Sequence, residues 1–135
     1  MEKIALINGK VLTPDGGQLE TTNLLLINGV LVGIGYIPDD DDAKVVNMSK
    51  HLFLRFSETI QNSLETLDPN QFVAQEETPF QNFASFDRPQ LSLNKKPSFL
   101  VFESTTHVSS AASSVNLRDL DFRHAMINGV MTSRP

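Results

Sequence analysis

One tripeptide constrains this chain more than any other feature: Ile-Asn-Gly occurs three times, as Ile7-Asn8-Gly9, Ile27-Asn28-Gly29 and Ile127-Asn128-Gly129. Each copy follows an apolar run (Ile4 to Ile7, Leu24 to Ile27, Ala125 to Ile127) and precedes another (Val11-Leu12, Val30 to Ile34, Val130-Met131). Asn and Gly tolerate positive φ, which a type I′ turn needs at both central residues, and that turn matches the right-handed twist of paired strands. A glycine-capped helix before each turn would need longer runs with a 3.6-residue period, and those are absent. Three β-hairpins are therefore predicted.

The remaining apolar runs extend the pattern. Val45-Val46-Asn47-Met48, a Ser49-Lys50 break and His51 to Arg55 predict a fourth hairpin. Phe99-Leu100-Val101-Phe102 predicts a further strand before a Ser/Thr-rich loop. Pro14-Asp15-Gly16-Gly17 and Pro38-Asp39-Asp40-Asp41-Asp42 read as connections. Many short strands with closely spaced turns imply an all-β sandwich or barrel-like packing.

Residues 57–94 differ in kind, with nine Asn or Gln and prolines at 69, 79 and 89. Ser57 caps a predicted short helix whose Ile60, Leu64 and Leu67 share one face, stopped by Asp68-Pro69. Phe72, Phe80, Phe83 and Phe86 then recur without a period. Four aromatics are too many for a free linker, so an ordered, irregular strap lying on the sheet is expected.

Charge and composition exclude several partner classes. The net charge of −5 is uneven: −2 over residues 1–55, −5 over 56–86 and +2 over 87–135. No segment has the dense Lys/Arg footprint that neutralises phosphates, nor aromatics interleaved with bases, so nucleic-acid binding is not expected. No apolar stretch approaches the roughly 20 residues of a membrane span, and the opening Met1 to Gly9 breaks into a turn before a secretory core. The chain has no cysteine, which excludes disulfides and thiolate chemistry and fits a reducing, cytoplasmic setting.

The order of these pieces carries a resemblance. Ile4-Ala5-Leu6-Ile7-Asn8-Gly9-Lys10-Val11-Leu12-Thr13-Pro14-Asp15-Gly16-Gly17, then Leu24 to Gly35, then an acidic loop and Val45-Val46-Asn47-Met48, resembles the opening of the dihydroorotase and dihydropyrimidinase branch of the amidohydrolase superfamily. Lys95 to Glu103 and Leu117 to Val130 resemble its returning tail. The resemblance implies a composite β-sandwich made of both chain ends, into which those enzymes insert a metal-bearing (β/α)₈ barrel. Where they continue with Pro-Gly and Asp-x-His-x-His, this chain has Arg55-Phe56 and Thr59-Ile60-Gln61-Asn62-Ser63. Gln61 and Ser63 do not replace two imidazoles at a divalent metal. The barrel, about 250 residues in a typical case, gives way to the 38 residues from Ser57 to Asn94.

Other candidate sites read as structural. His51, His107 and His124 are the only imidazoles, and none has the i, i+2 or i, i+4 spacing that sets two ligands on one metal. The Asp39 to Asp42 run lacks the glycine and closing acid of a calcium loop and reads as a solvated loop discouraging edge-to-edge association. Ser109-Ser110 and Ser113-Ser114 belong to no nucleophile motif, and Gly33-x-Gly35 lacks the third glycine of a dinucleotide fingerprint. Glu76 and Glu77 would point to opposite sides of an extended chain.

The sequence thus predicts one all-β domain over residues 1–135: an N-terminal sandwich half (1–56), a strap (57–94) and a C-terminal half (95–135). No catalytic, cofactor-binding or metal-binding residue is expected, and the strap phenylalanines are expected to cover the sheet face that a barrel would occupy. The expected role is a non-catalytic binding or assembly module, pairing with itself or with an amidohydrolase-family protein through a sheet edge. Two alternatives are the non-barrel piece of a split cyclic-amide hydrolase complemented in trans, and a small-ligand binder with a pocket between sheet and strap.

Overall fold

Two of the three Ile-Asn-Gly tripeptides make the turns expected of them, and the third does not. A computed structural model describes residues 2–35, 42–75, 79–104 and 111–134. In it β2 (Leu19–Ile27) and β3 (Val30–Ile34) form a hairpin through Asn28 and Gly29, at φ 52° and 82°. Likewise β8 (Leu120–Ile127) and β9 (Val130–Ser133) turn through Asn128 and Gly129, at φ 49° and 81°. Positive φ at both central residues is the type I′ signature.

Ile7-Asn8-Gly9 instead lies inside one continuous strand, β1 (Lys3–Leu12). Its pairing with β2 steps from Leu6↔Leu24 to Gly9↔Thr22, so β1 carries one extra residue, a β-bulge with Asn8 at φ 66°. The bulge is stapled from the neighbouring strand, because the Asn8 N–H donates to Asn23 Oδ1 at 2.9 Å. Gly9 then lies against the Phe53 ring, where a Cβ would come within 2.4 Å. The same dipeptide that closes a hairpin elsewhere here shifts the strand's alternation by one residue.

The expected fourth hairpin is also corrected. β4 (Lys44–Asn47) pairs with β1 in parallel, Ile4↔Lys44 to Ile7↔Asn47, and β5 (His51–Phe56) touches β1 in parallel at Lys10↔Leu52. The two segments therefore run the same way, joined by a turn in which the His51 N–H donates to Met48 O. Only Lys50 takes positive φ (66°) in that turn, and a hairpin of the type I′ kind needs two such residues. Burial of Met48, whose N–H is given to Ile7 O, holds the junction against β1.

Head and tail of the chain share one sheet. β7 (Phe99–Ser104) pairs antiparallel with β5, His51↔Glu103 to Leu54↔Leu100, and with β8 on its other side. The order is β3-β2-β1-β5-β7-β8-β9, with β4 beside β1 and β6 (Ala84–Ser85) beside β5. In a flat sheet β2 and β8 would lie about 19 Å apart at the usual 4.8 Å strand spacing. Yet the two hairpin tips touch: a Cβ on Gly129 would fall 2.1 Å from Gly29 O. The sheet is therefore strongly coiled, and its ends close toward one another. The fold is all-β.

One core fills the concave side, with Leu6, Leu24, Leu31, Met48, Phe53, Phe99, Val101 and Met126 buried together. A second core lies between the other face and the strap. It joins Leu52, Leu54 and Phe56 of β5, Leu100 and Phe102 of β7, and Phe122 of β8 to Phe72 and Phe80. Phe83 and Phe86 are half-buried against the same cluster, so all four strap rings pack on the sheet. Phe72 is the hub, with ring centroids 5.2–6.2 Å from Phe83, Phe80, Phe56 and Phe122. Phe80 stacks on Phe122 at 4.0 Å.

The strap's helices are shorter than the apolar spacing predicts. α1 (Glu58–Gln61) ends before Leu64, although Ile60, Leu64 and Leu67 all still face the cluster. Asp68 begins the next helix rather than ending this one: its Oδ1 accepts the Asn70 N–H at 3.0 Å, with Pro69 at the first position of α2 (Pro69–Val73). Ser57 occupies the cap position of α1 without using its hydroxyl, which is buried with no partner among the described residues. The strap returns along β3, where the Leu31 N–H donates to Lys95 O and the Asn94 N–H to Leu31 O. No helix among the described residues is long and apolar enough to cross a membrane.

Candidate functional site: a groove at the seam of the sheet

Where the coiled sheet fails to close, it leaves an open groove of about 920 Å³. Its base is the pair of Asn-Gly turns, and its walls are β4 with the start of β1 on one side and the β8–β9 hairpin on the other. Local hydrogen bonds set the base. The Asn28 N–H donates to Glu2 O at 2.8 Å, and the Glu2 N–H to Asn28 Oδ1 at 3.0 Å. On the other turn, the Asn128 N–H donates to Ser98 Oγ, Asn128 Nδ2 to Leu64 O and the Gly129 N–H to Pro97 O, each at 2.9 Å.

The outer edges of β4 and β9 pair with no other strand among the described residues. Both walls expose apolar side chains: Val45 is 59% accessible and Val130 55%. Lys44, Lys96 and Glu2 rim the groove, and the two lysines have no ion-pair partner among the described residues. The groove therefore offers backbone hydrogen-bonding groups, two valine side chains and a modest excess of positive charge.

His124 lines this groove and meets a second imidazole behind it. Its Nδ1 lies 2.8 Å from Ser133 Oγ, and its ring centroid is 6.1 Å from that of His51. His51 in turn places Nδ1 3.0 Å from Ser49 O and Nε2 3.4 Å from Glu103 Oε2. Glu103 also pairs with Arg123 at 3.2 Å. Burial holds the His124 pKa below its ordinary 6.5, and His51 and Arg123 push the same way, while Glu103 opposes them.

This depression has a measurable sign. A folded state that resists protonating His124 binds fewer protons than the unfolded chain just below pH 6.5. Its contribution is fully present above that value and is lost as pH falls below it through the lower folded-state pKa. Thermal melts between about pH 7.5 and about pH 5 are expected to show a smaller drop in Tm for His124→Gln than for the parent chain. Equal slopes would show that His124 is not the group responsible.

Local spacing gave no sign of the His51–His124 encounter, because the two lie on β5 and β8 with β7 between them. No group of three or more His, Asp or Glu among the described residues is arranged to hold a metal ion. His107, Asp39 to Asp41, Glu76-Glu77 and Ser109-Ser110 lie outside the described residues. Ser113 and Ser114 sit in an exposed 3₁₀ turn, with the Ser114 hydroxyl donating to Ala111 O. Gly33 lies in β3, and Gly35 follows it at φ 88° with its N–H on Asn23 O. Gln61 closes α1 on the strap, with Ser63 just beyond it. The sheet–strap interface, where the small-ligand alternative would place its pocket, is occupied by the aromatic cluster, and the groove lies elsewhere. Neither a scan against models of known protein families nor a search of curated proteins finds a match to this chain.

Proposed function

We propose that this chain is a non-catalytic assembly module, derived from the composite β-sandwich of the dihydroorotase and dihydropyrimidinase branch of the amidohydrolases. Three features support that origin: the order of the head and tail motifs, their union in one coiled sheet, and an aromatic strap on the face that a barrel would adjoin. The observation that carries the assembly role is the pair of exposed valines, Val45 and Val130, on opposite walls of one groove beside strand edges that pair with no other strand among the described residues. Such edges are templates for strand addition.

The occupant we infer is a second copy, pairing antiparallel along β4 about a two-fold axis, which closes the assembly at a dimer. In that register Val45 faces Val46 of the second copy and Lys44 faces Asn47, so apolar side chains meet and no like charges oppose. Size-exclusion chromatography with light scattering is expected to give a dimer, and Val45→Lys a monomer with unchanged circular dichroism. A parent chain that stays monomeric at high concentration overturns this reading. Gain of cyclic-amide hydrolysis only on mixing with a barrel-like chain would replace it with a split enzyme.

A further inference from the structure

The three Asn-Gly pairs are chemically identical in sequence, yet the structure sets them in three different hydrogen-bonding states. We propose that Asn28 is a site of spontaneous, succinimide-mediated deamidation, singled out from the other two by those states. In this reaction the Gly backbone nitrogen attacks the Asn Cγ and gives up its proton. The Cγ–Nδ2 bond breaks and ammonia leaves, and one water then opens the resulting ring at either carbonyl, yielding aspartate or isoaspartate. Glycine is the most permissive successor because it presents no side chain to the approaching nitrogen.

At Asn28 every participant is available. The Gly29 N–H and Asn28 Nδ2 have no acceptor among the described residues, so neither nucleophile nor leaving group is tied down. The Glu2 N–H donates to Asn28 Oδ1 at 3.0 Å, which polarises the carbonyl under attack and stabilises the charge that develops on its oxygen. The side chain is exposed at the groove, where water can reach it.

The other two sites are blocked by different means. At Asn128 the nucleophile is engaged, with the Gly129 N–H on Pro97 O, and the leaving amide is engaged too, with Nδ2 on Leu64 O. At Asn8 the leaving amide is engaged, with Nδ2 donating to Asn47 Oδ1 at 3.3 Å, and the following glycine is buried within the β1 ladder away from water. Conversion at position 28 would place a carboxylate beside Glu2, and its iso form would lengthen the turn that packs on Gly129.

Incubating the folded chain at mildly alkaline pH and mapping its peptides by mass spectrometry tests this. Acid is expected to accumulate at position 28 at least about fivefold faster than at 8 or 128, roughly what one net hydrogen bond is worth in rate. In denaturant the three sites should converge. Glu2→Pro, which removes the polarising N–H, should slow position 28 and leave 128 unchanged. Conversion that is absent at 28, equal at all three sites, or faster at 8 or 128 in the folded chain overturns the proposal.

Discussion

Phe72→Ala is expected to lower stability by about 3–5 kcal/mol, the usual range for deleting a fully buried aromatic ring. Phe72 is 1% exposed and packs against rings from β5, β8 and the strap itself. Strand pairing contributes little to holding the strap, whose only strand among the described residues is the two-residue β6. Removing the hub leaves Phe80 and Phe83 without a shared partner and opens the second core to water. Against a typical total of about 5–15 kcal/mol, the loss is a large fraction. Urea unfolding should show the midpoint falling steeply, whereas Phe86→Ala, at a half-buried ring, should cost clearly less. A Phe72→Ala cost below about 1 kcal/mol, no more than an ordinary surface change, would mean that the strap does not fold cooperatively with the sheet.

Gly129→Ala is expected to cost about 2–4 kcal/mol, combining a left-handed backbone strain with overpacking. Its φ is 81°, and the new methyl would fall 2.1 Å from the Gly29 carbonyl oxygen. That neighbour is backbone, held in its own hairpin, and has no rotamer with which to yield. Gly16→Ala is the matched control: its φ is 75°, but nothing lies within 4 Å of an added Cβ. It should show only the backbone strain. If both substitutions cost the same in denaturant titrations, the hairpin tips are not in contact in solution.

The outcome at each turn shows how far local chemistry reaches. Asn28-Gly29 and Asn128-Gly129 were legible as hairpins because both flanking runs pair with each other and nothing distant intervenes. Asn8-Gly9 satisfies the same local rule, but the Asn23 carboxamide captures its N–H and the Phe53 ring claims the space beside Gly9. The bulge takes positive φ at Asn8 alone and the turns take it at both residues, and Asn-Gly tolerates either, so the dipeptide cannot distinguish them. The Ser49-Lys50 break is ambiguous for a related reason: two apolar runs and a short gap suit either a hairpin or a kinked strand, and burial of Met48 against β1 selects the kink.

The candidate site was scarcely legible. Four strap phenylalanines announced that the middle segment packs on something, and it does. Nothing in the spacing of Lys44, Val45, Lys96, His124 and Val130 placed them around one groove. They converge because β5 pairs with β7 and the sheet then coils until its two end hairpins meet, and both events join residues far apart along the chain.

Strand-forming runs, turn residues and the aromatic content of the strap are properties of neighbours in sequence, and by themselves they dictated an all-β chain with an ordered middle. Which edge each strand chose, which Asn-Gly became a bulge and where the seam stayed open were decided only in three dimensions. Backbone hydrogen bonds are alike for every strand, so partner selection falls to side chains that meet only once the sheet has coiled.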